Sequence, residues 1–184
     1  ENIAMEYGLK FHVDWLKGQK TGFFVDQREN RHLLERYAKG RNVLNMFCYT
    51  GGFSFYAMRG GANLVHSVDS SAKAIDLTNM NVELNFPGDT RHKAYAEDAF
   101  KYLDRMGDQY DLIILDPPAF AKHKKVLNNA LQGYRKLNAK AFEKIKPGGI
   151  LFTFSCSQVV TKDNFRTAVF TAAAMSGRSV RILH

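Results

Sequence analysis

Asn45-Met46-Phe47-Cys48-Tyr49-Thr50-Gly51-Gly52 is the stretch on which the fold turns. An apolar strand from Asn42 to Phe47 runs into it, and a helix from Gly52 to Arg59 leaves it. Gly51-Gly52 lets the backbone pass close to a ligand while the first helix amides point at that ligand. Working outward, four more strand ends carry polar groups: Asp69, Asp98, Asp116-Pro117-Pro118-Ala119-Phe120 and Ser155-Cys156-Ser157. In an open parallel α/β sheet the ligand crevice lies outside the carboxyl ends of the strands, so groups placed one per strand end meet in one cleft.

Strand and helix alternate around these points. The pattern predicts strands over Ala62 to Val68, His92 to Ala96, Tyr110 to Leu115 and Ile150 to Ser155, with a last one near Val180. Helices are expected from Ser71 to Asn85, from about Asn128 to Ile145 and near Lys162 to Met175. Such alternation argues a parallel sheet, and right-handed crossovers give it the order 3-2-1-4-5-6 with the crevice at the reversal. Ahead of it, partial alternation from Tyr7 to Trp15 and from Thr21 to Asp26 reads as a hairpin turning at Lys17-Gly18-Gln19-Lys20. Asp26 is placed to cap a following helix that Gly40 ends. The organisation expected is therefore a hairpin plus flanking helix over residues 1–40 and the main domain over 41–184.

With 184 residues, 45% of them hydrophobic, the chain suits one main core. Its apolar runs are far shorter than a bilayer span, which excludes a membrane helix. Cys48 and Cys156 make neither a disulfide framework nor a metal-ligand spacing, so no metal is expected and a reducing, cytoplasmic setting is. Lys and Arg outnumber Asp and Glu by 26 to 18, and the formal charge of +8 favours a polyanionic partner through phosphate neutralisation.

Each candidate residue has a plain structural reading beside its functional one. Asp69 falls where an acidic residue accepts hydrogen bonds from ribose hydroxyls, and Asp69-Ser70-Ser71 also suits a helix cap. Asp98, followed by Ala99 and Phe100, is placed to read an adenine edge or simply to start a helix. Asp116 closes an apolar strand, and Pro117-Pro118 make a rigid non-helical exit able to hold a base edge. Lys122-His123-Lys124-Lys125 reads as a phosphate-contacting loop or as a solvated charge run. Cys156 stands at the end of strand five, beside strand four, which brings a thiol toward Asp116. A thiolate that adds to C6 of a pyrimidine makes C5 nucleophilic enough to accept a methyl group from a sulfonium donor. Cys48 reads better as a small buried apolar residue.

On these residues the chain resembles the bacterial ribosomal RNA large-subunit cytosine-5 methyltransferase I family. The resemblance runs from Gly18-Gln19-Lys20-Thr21-Gly22-Phe23-Phe24 and Asp26-Gln27-Arg28 through Phe47 to Gly52, Ser67-Val68-Asp69, Leu115 to Lys122, Gly133-Tyr134 and Ser155-Cys156-Ser157. It implies a Rossmann-like methyltransferase sheet, S-adenosylmethionine as cofactor and ribosomal RNA as partner. Phe47, Tyr49, Thr50, Gly51, Asp69, Ser70, Asp98, Ala99, Asp116 and Pro117 are then expected around the donor. Pro118, Phe120, Lys122 and Lys124 are expected toward the RNA. Cys156 is the implied nucleophile, with Asp116 near the cytosine N3 edge. Many RNA cytosine-5 methyltransferases place a second cysteine in the fourth-strand loop, where this chain has Ala119. The base that removes the C5 proton is consequently unassigned, with Asp116, Tyr49 or an ordered water as candidates.

Family members also carry a small RNA-binding domain before the hairpin and further strands at the far end, so a truncated chain is expected here, along with a possible homodimer. Two competing functions belong beside this one. Related domains with similar motifs methylate a purine nitrogen of guanine, which needs no cysteine. A non-catalytic RNA-binding module that keeps the donor pocket is the other, ahead of a small-molecule methyltransferase because the basic balance suits RNA.

Overall fold

The computed structural model describes residues 2–13, 22–120, 123 and 126–184. Its centre is a parallel five-stranded sheet of β3 (Asn42–Met46), β4 (Leu64–Asp69), β5 (His92–Ala96), β6 (Leu112–Leu115) and β7 (Ile150–Thr153) in the spatial order β5-β4-β3-β6-β7. In order of appearance within the sheet this is 3-2-1-4-5, and the reversal between β3 and β6 marks the switch point. The α/β class and doubly wound topology expected from the strand–helix alternation are what the chain adopts. No helix among the described residues is long and apolar enough to cross a membrane.

Period-two alternation sorts the strand side chains into two cores. Val43, Val65, Leu112 and Ile114 face one side, where α1 (Arg28–Tyr37) and α2 (Gly52–Arg59) pack. α3 (Ala72–Asn85) joins that side through Val82. Leu44, Met46, Val68, Ile113 and Leu115 face the other, under α4 (Ala99–Arg105) and α5 (Leu127–Lys144). α6 (Lys162–Ser176) lies against α5 through Ala172, Ala173, Ala139 and Phe142. Every strand residue of β6 is buried, as expected for a central parallel strand covered on both faces.

Three expectations need correction. The hairpin lies earlier than its pattern suggested: β1 (Ile3–Glu6) and β2 (Leu9–His12) pair around Tyr7-Gly8, with φ of 47° and 83°. Two successive positive φ values suit a tight two-residue turn, but tyrosine is a poor marker for one. The proposed turn at Lys17 to Lys20 lies outside the described residues. Beyond it, 22–26 is not a strand: the chain bends at Gly22 and forms a short 3-10 turn, Val25–Gln27. Asp26 therefore sits inside that turn, and Gln27 occupies the N-cap of α1 without a capping side-chain bond. The last strand, expected near Val180, is absent from the described residues 177–184. There Gly177, at φ 68°, ends α6, and Arg178 turns back to donate to the carbonyl of Phe142 at 3.0 Å.

The hairpin is packed into the main core. Leu9, Phe11 and Val13 join Leu34, Phe55 and Val65 in one buried cluster. A buried ion pair reinforces this contact: Arg31 of α1 donates from Nε and Nη2 to the two oxygens of Glu6 in β1, both at 2.8 Å. Tyr56 of α2 donates to the same carboxylate at 2.8 Å, and Arg31 Nη1 reaches the Phe24 carbonyl at 3.0 Å. Two charges withdrawn from water are tolerated because their hydrogen-bonding groups find partners.

Candidate active site

The chain leaves β3 in a tightly specified loop. Phe47 and Tyr49 both have positive φ, 58° and 48°, as does Gly51 at 87°. Left-handed backbone at two aromatic residues is uncommon and is held only by its surroundings. Three anchors do so. The Cys48 amide donates to the Val68 carbonyl at 3.0 Å, the Tyr49 amide to Asp69 Oδ2 at 2.9 Å, and Thr78 Oγ1 to the Tyr49 carbonyl at 2.9 Å. Gly51 is required sterically as well: a Cβ there would stand 2.6 Å from Phe55 Cζ and 2.8 Å from Thr78 Cγ2.

Asp69 ends β4 in register with Ala96 of β5. Its other oxygen accepts the Ser71 amide at 2.9 Å, and Ser71 in turn caps α3. An ionised carboxylate offers about four acceptor positions, so two backbone bonds leave capacity for ribose hydroxyls. Ser70 beside it is exposed. Asp98 caps α4 by accepting the Lys101 amide at 3.0 Å, so its plain structural reading is realised. The residue is exposed, and a cap formed through one oxygen is compatible with a ligand contact through the other. Ala99 is buried in the core below, which limits what it can offer a ligand to its backbone.

On the other side of the switch point, Asp116 follows β6 and is half-buried, Pro117 is buried and Pro118 is exposed. β7 lies beside β6, and the Phe154 amide donates to the Leu115 carbonyl at 2.9 Å, extending the pairing one residue past the strand. This brings Cys156 Sγ to 3.7 Å from the Pro117 carbonyl oxygen. The two cysteines differ as their positions suggested. Cys156 is exposed, whereas Cys48 is buried, and its thiol is pushed strongly up by desolvation and by the charge of Asp69. Cys48 is thus held as an unreactive thiol.

The strand-end residues therefore stand along one edge of the sheet in the order Asp98, Asp69, the 47–52 loop, Asp116, Cys156. Phe120 turns inward, its ring 4.7 Å from that of Tyr134. Lys122 and Lys124 lie outside the described residues. Thr78 and Asn81 of α3, which hold the loop after β3 from below, were not singled out from sequence. The Asn81 side chain donates to the Thr50 carbonyl at 3.3 Å and accepts the His12 amide at 2.7 Å. Polar residues on the buried face of an amphipathic helix were the only available signal.

Residues 2–178 match the S-adenosylmethionine-dependent methyltransferase family. The chain belongs to that family. It is 46% identical over 184 residues to the ribosomal RNA large subunit methyltransferase I of Tolumonas auensis, a match covering 98% of this chain and 46% of the relative. Among solved structures, a SAM-dependent methyltransferase from Streptococcus mutans superposes with a TM-score of 0.82 at 28% identity, covering 94% of this chain and 46% of that one. A methyltransferase complexed with SAH gives 0.82 at 29%, covering 93% and 46%. The chain thus spans somewhat less than half the length of the proteins it matches.

The residues present fit the family's cofactor. Two carboxylates on neighbouring strand ends, each with acceptor capacity left beyond its backbone bonds, match the hydrogen-bond donors of a ribose and an adenine.

Proposed function

We propose that this chain is the catalytic portion of an RNA methyltransferase that forms 5-methylcytidine in large-subunit ribosomal RNA. The observation that carries the reading is the exposed Cys156 thiol set 3.7 Å from the Asp-Pro-Pro loop, across the switch point from the carboxylate pair. Likeness to the Tolumonas auensis relative supplies the RNA class.

Bound S-adenosylmethionine supplies an electrophilic methyl group on a sulfonium centre. Phe47, Tyr49, Thr50 and Gly51 border it, Asp69 and Ser70 hold its ribose end, Asp98 and Ala99 its base. Asp116 and Pro117 close the donor's other side and Pro118 faces the cytosine, which enters unstacked, while Phe120, turned in on Tyr134, backs that loop from below. Cys156, after losing its proton, adds to C6 of the ring, and the electron pair moves toward N3, where Asp116 offers a hydrogen bond. C5 would then bond to the methyl carbon, the carbon–sulfur pair leaving with the demethylated donor. A base, for which Asp116, Tyr49 and an ordered water are the candidates, takes the C5 proton; the C5–H pair re-forms the C5–C6 double bond and Cys156 leaves as thiolate. Lys122 and Lys124 follow the same loop in sequence and are proposed to meet RNA phosphates.

The test is transfer of labelled methyl from S-adenosylmethionine to unmodified ribosomal RNA, read by nucleoside mass spectrometry. 5-Methylcytidine that disappears with Cys156→Ala supports the reading. Methylguanosine, or wild-type turnover by Cys156→Ala, overturns it in favour of purine-nitrogen methylation. Donor and RNA binding without any methylated nucleoside leaves the binding-module reading.

A further inference from the structure

We propose that Tyr134 is the positioning residue of the nucleophile loop, locking the Cys156 segment to the Asp116-Pro117-Pro118 loop through a two-serine clamp. The chemical consequence rests on Cys156 acting as nucleophile; the clamp itself rests on geometry alone. Tyr134 is fully buried on α5, and a buried phenol needs hydrogen-bond partners. Its hydroxyl finds them in the two residues flanking Cys156: Ser155 Oγ donates to it at 2.9 Å, and Ser157 Oγ lies 3.0 Å away. Ser157 is buried by this arrangement while Cys156 between the serines is exposed. One phenol thus fastens the segment on both sides of the thiol.

The ring of the same residue fastens the other loop. Phe120, the last residue of Asp-Pro-Pro-Ala-Phe, packs on Tyr134 with centroids 4.7 Å apart, and Phe165 of α6 closes the far side edge-on at 5.2 Å. Gly133 makes room for Phe120: a Cβ there would stand 3.1 Å from Phe120 Cδ2. The hydroxyl registers the β7 loop, the ring registers the β6 loop, and the outcome is the 3.7 Å approach of Cys156 Sγ to the Pro117 carbonyl. Near-attack geometry is sensitive at this scale, since a misplacement of about 1 Å can cost on the order of a hundredfold in rate.

Tyr134→Phe keeps both ring contacts and removes only the hydroxyl. The direct readout is alkylation by iodoacetamide, with peptide mass spectrometry following Cys156 and Cys48 separately. Cys48 is buried, so its labelling reports global opening and its silence certifies an intact fold. With the clamp released, Cys156 is labelled at least about threefold faster in Tyr134→Phe and in the Ser155→Ala, Ser157→Ala pair, and adding Ser155→Ala to Tyr134→Phe gives no further change because both act through one contact. A Cys156 rate unchanged from wild type, with Cys48 silent, overturns the proposal. Should Tyr134→Phe open the fold and label Cys48, the serine pair is judged by the same criterion. In methyl transfer to RNA, kcat falls about tenfold while KM for RNA and the donor Kd stay within about twofold, the split expected of a group that only orients the nucleophile. Wild-type turnover by Cys156→Ala removes the covalent chemistry and leaves the alkylation result to decide the clamp.

Discussion

The backbone amide of Tyr49 donates to Asp69 Oδ2 at 2.9 Å, tying the loop after β3 to the end of β4. Asp69 is therefore an anchor that holds Tyr49 in its left-handed conformation, and the proposed function gives the same carboxylate a second role at the donor's ribose. Asp69→Ala is expected to weaken S-adenosylmethionine binding by tenfold or more by calorimetry, and to lower stability by about 1–3 kcal/mol because two amides lose a charged acceptor. Unchanged donor affinity in the folded variant would separate the two roles and remove the first.

Gly51 and Gly148 test conformation against space. Both have positive φ, 87° and 75°, but a Cβ at Gly51 meets Phe55 and Thr78 while one at Gly148 meets nothing within 4 Å. Gly148→Ala should cost about 1 kcal/mol in urea unfolding from backbone strain alone, and Gly51→Ala about 2–4 kcal/mol with overpacking added. Equal losses would mean that the crowding at Gly51 relaxes away.

Asn81 and Asn85 separate support of the loop after β3 from support of the hairpin. Asn81 bridges the His12 amide and the Thr50 carbonyl, whereas Asn85 bonds the amide and carbonyl of Lys10, at 2.8 Å and 2.7 Å. Alanine at either position should lower stability by about 1–2 kcal/mol. Only Asn81→Ala should also weaken donor binding, and equal donor affinities in the two variants would show that the support α3 gives the loop does not reach the donor site.

Acid stability should be governed by two histidines of neighbouring strands, His66 buried and His92 half-buried. Burial lowers the pKa of His66 and of His92 to about 4 from 6.5. His66 Nδ1 lies 2.6 Å from the Tyr110 hydroxyl, and His92 Nε2 lies 2.8 Å from Ser67 Oγ. Both pKa values are depressed, so the unfolded chain binds more protons between pH 4 and 6.5. Stability is then intact above about pH 6.5 and declines as the pH falls toward 4, by up to about 1.4 kcal/mol per unit for each histidine. Glu35 and Asp89, whose pKa values are held down by Arg59 and Arg91, lose their contribution only at lower pH. Urea midpoints measured from pH 7 to 5 should fall steeply in wild type and more gently in His66→Gln and His92→Gln; parallel slopes would show that other groups titrate in that window.

The buried Glu6–Arg31 pair joins the hairpin to α1 beside the apolar contacts of Leu9, Phe11 and Val13. Arg31→Met leaves the Glu6 carboxylate uncompensated and should cost about 3–5 kcal/mol, whereas a matched apolar replacement of both partners should recover most of that loss. Thermal melts of the single and double variants decide it, and additive losses would show that the charges do not depend on each other.

Much of this protein is local enough to be read without coordinates. Apolar period and glycine punctuation placed α2 over Gly52–Arg59 and β5 over His92–Ala96 as they are found, and the one-group-per-strand-end rule predicted the row from Asp98 to Cys156, because parallel topology converts sequence order into a single edge. Cys48 and Cys156 were distinguished by position, one inside a turn and one at a strand end. Other features depend on contacts between residues far apart in the chain. The Tyr7-Gly8 turn hides behind a residue type that seldom adopts φ 47°. Glu6 and Arg31, 25 residues apart, show no pairing signal in sequence. Tyr134 enters the sequence reading only through the Gly133-Tyr134 motif of the resemblance, with no role attached, and the place of its hydroxyl between Ser155 and Ser157 is visible only in the fold. Sequence alone determined which groups reach the carboxyl edge, since strand period and handedness leave little freedom. Tertiary packing alone decided how those groups are held, because hydrogen-bond partners across elements depend on distances that spacing along the chain does not encode.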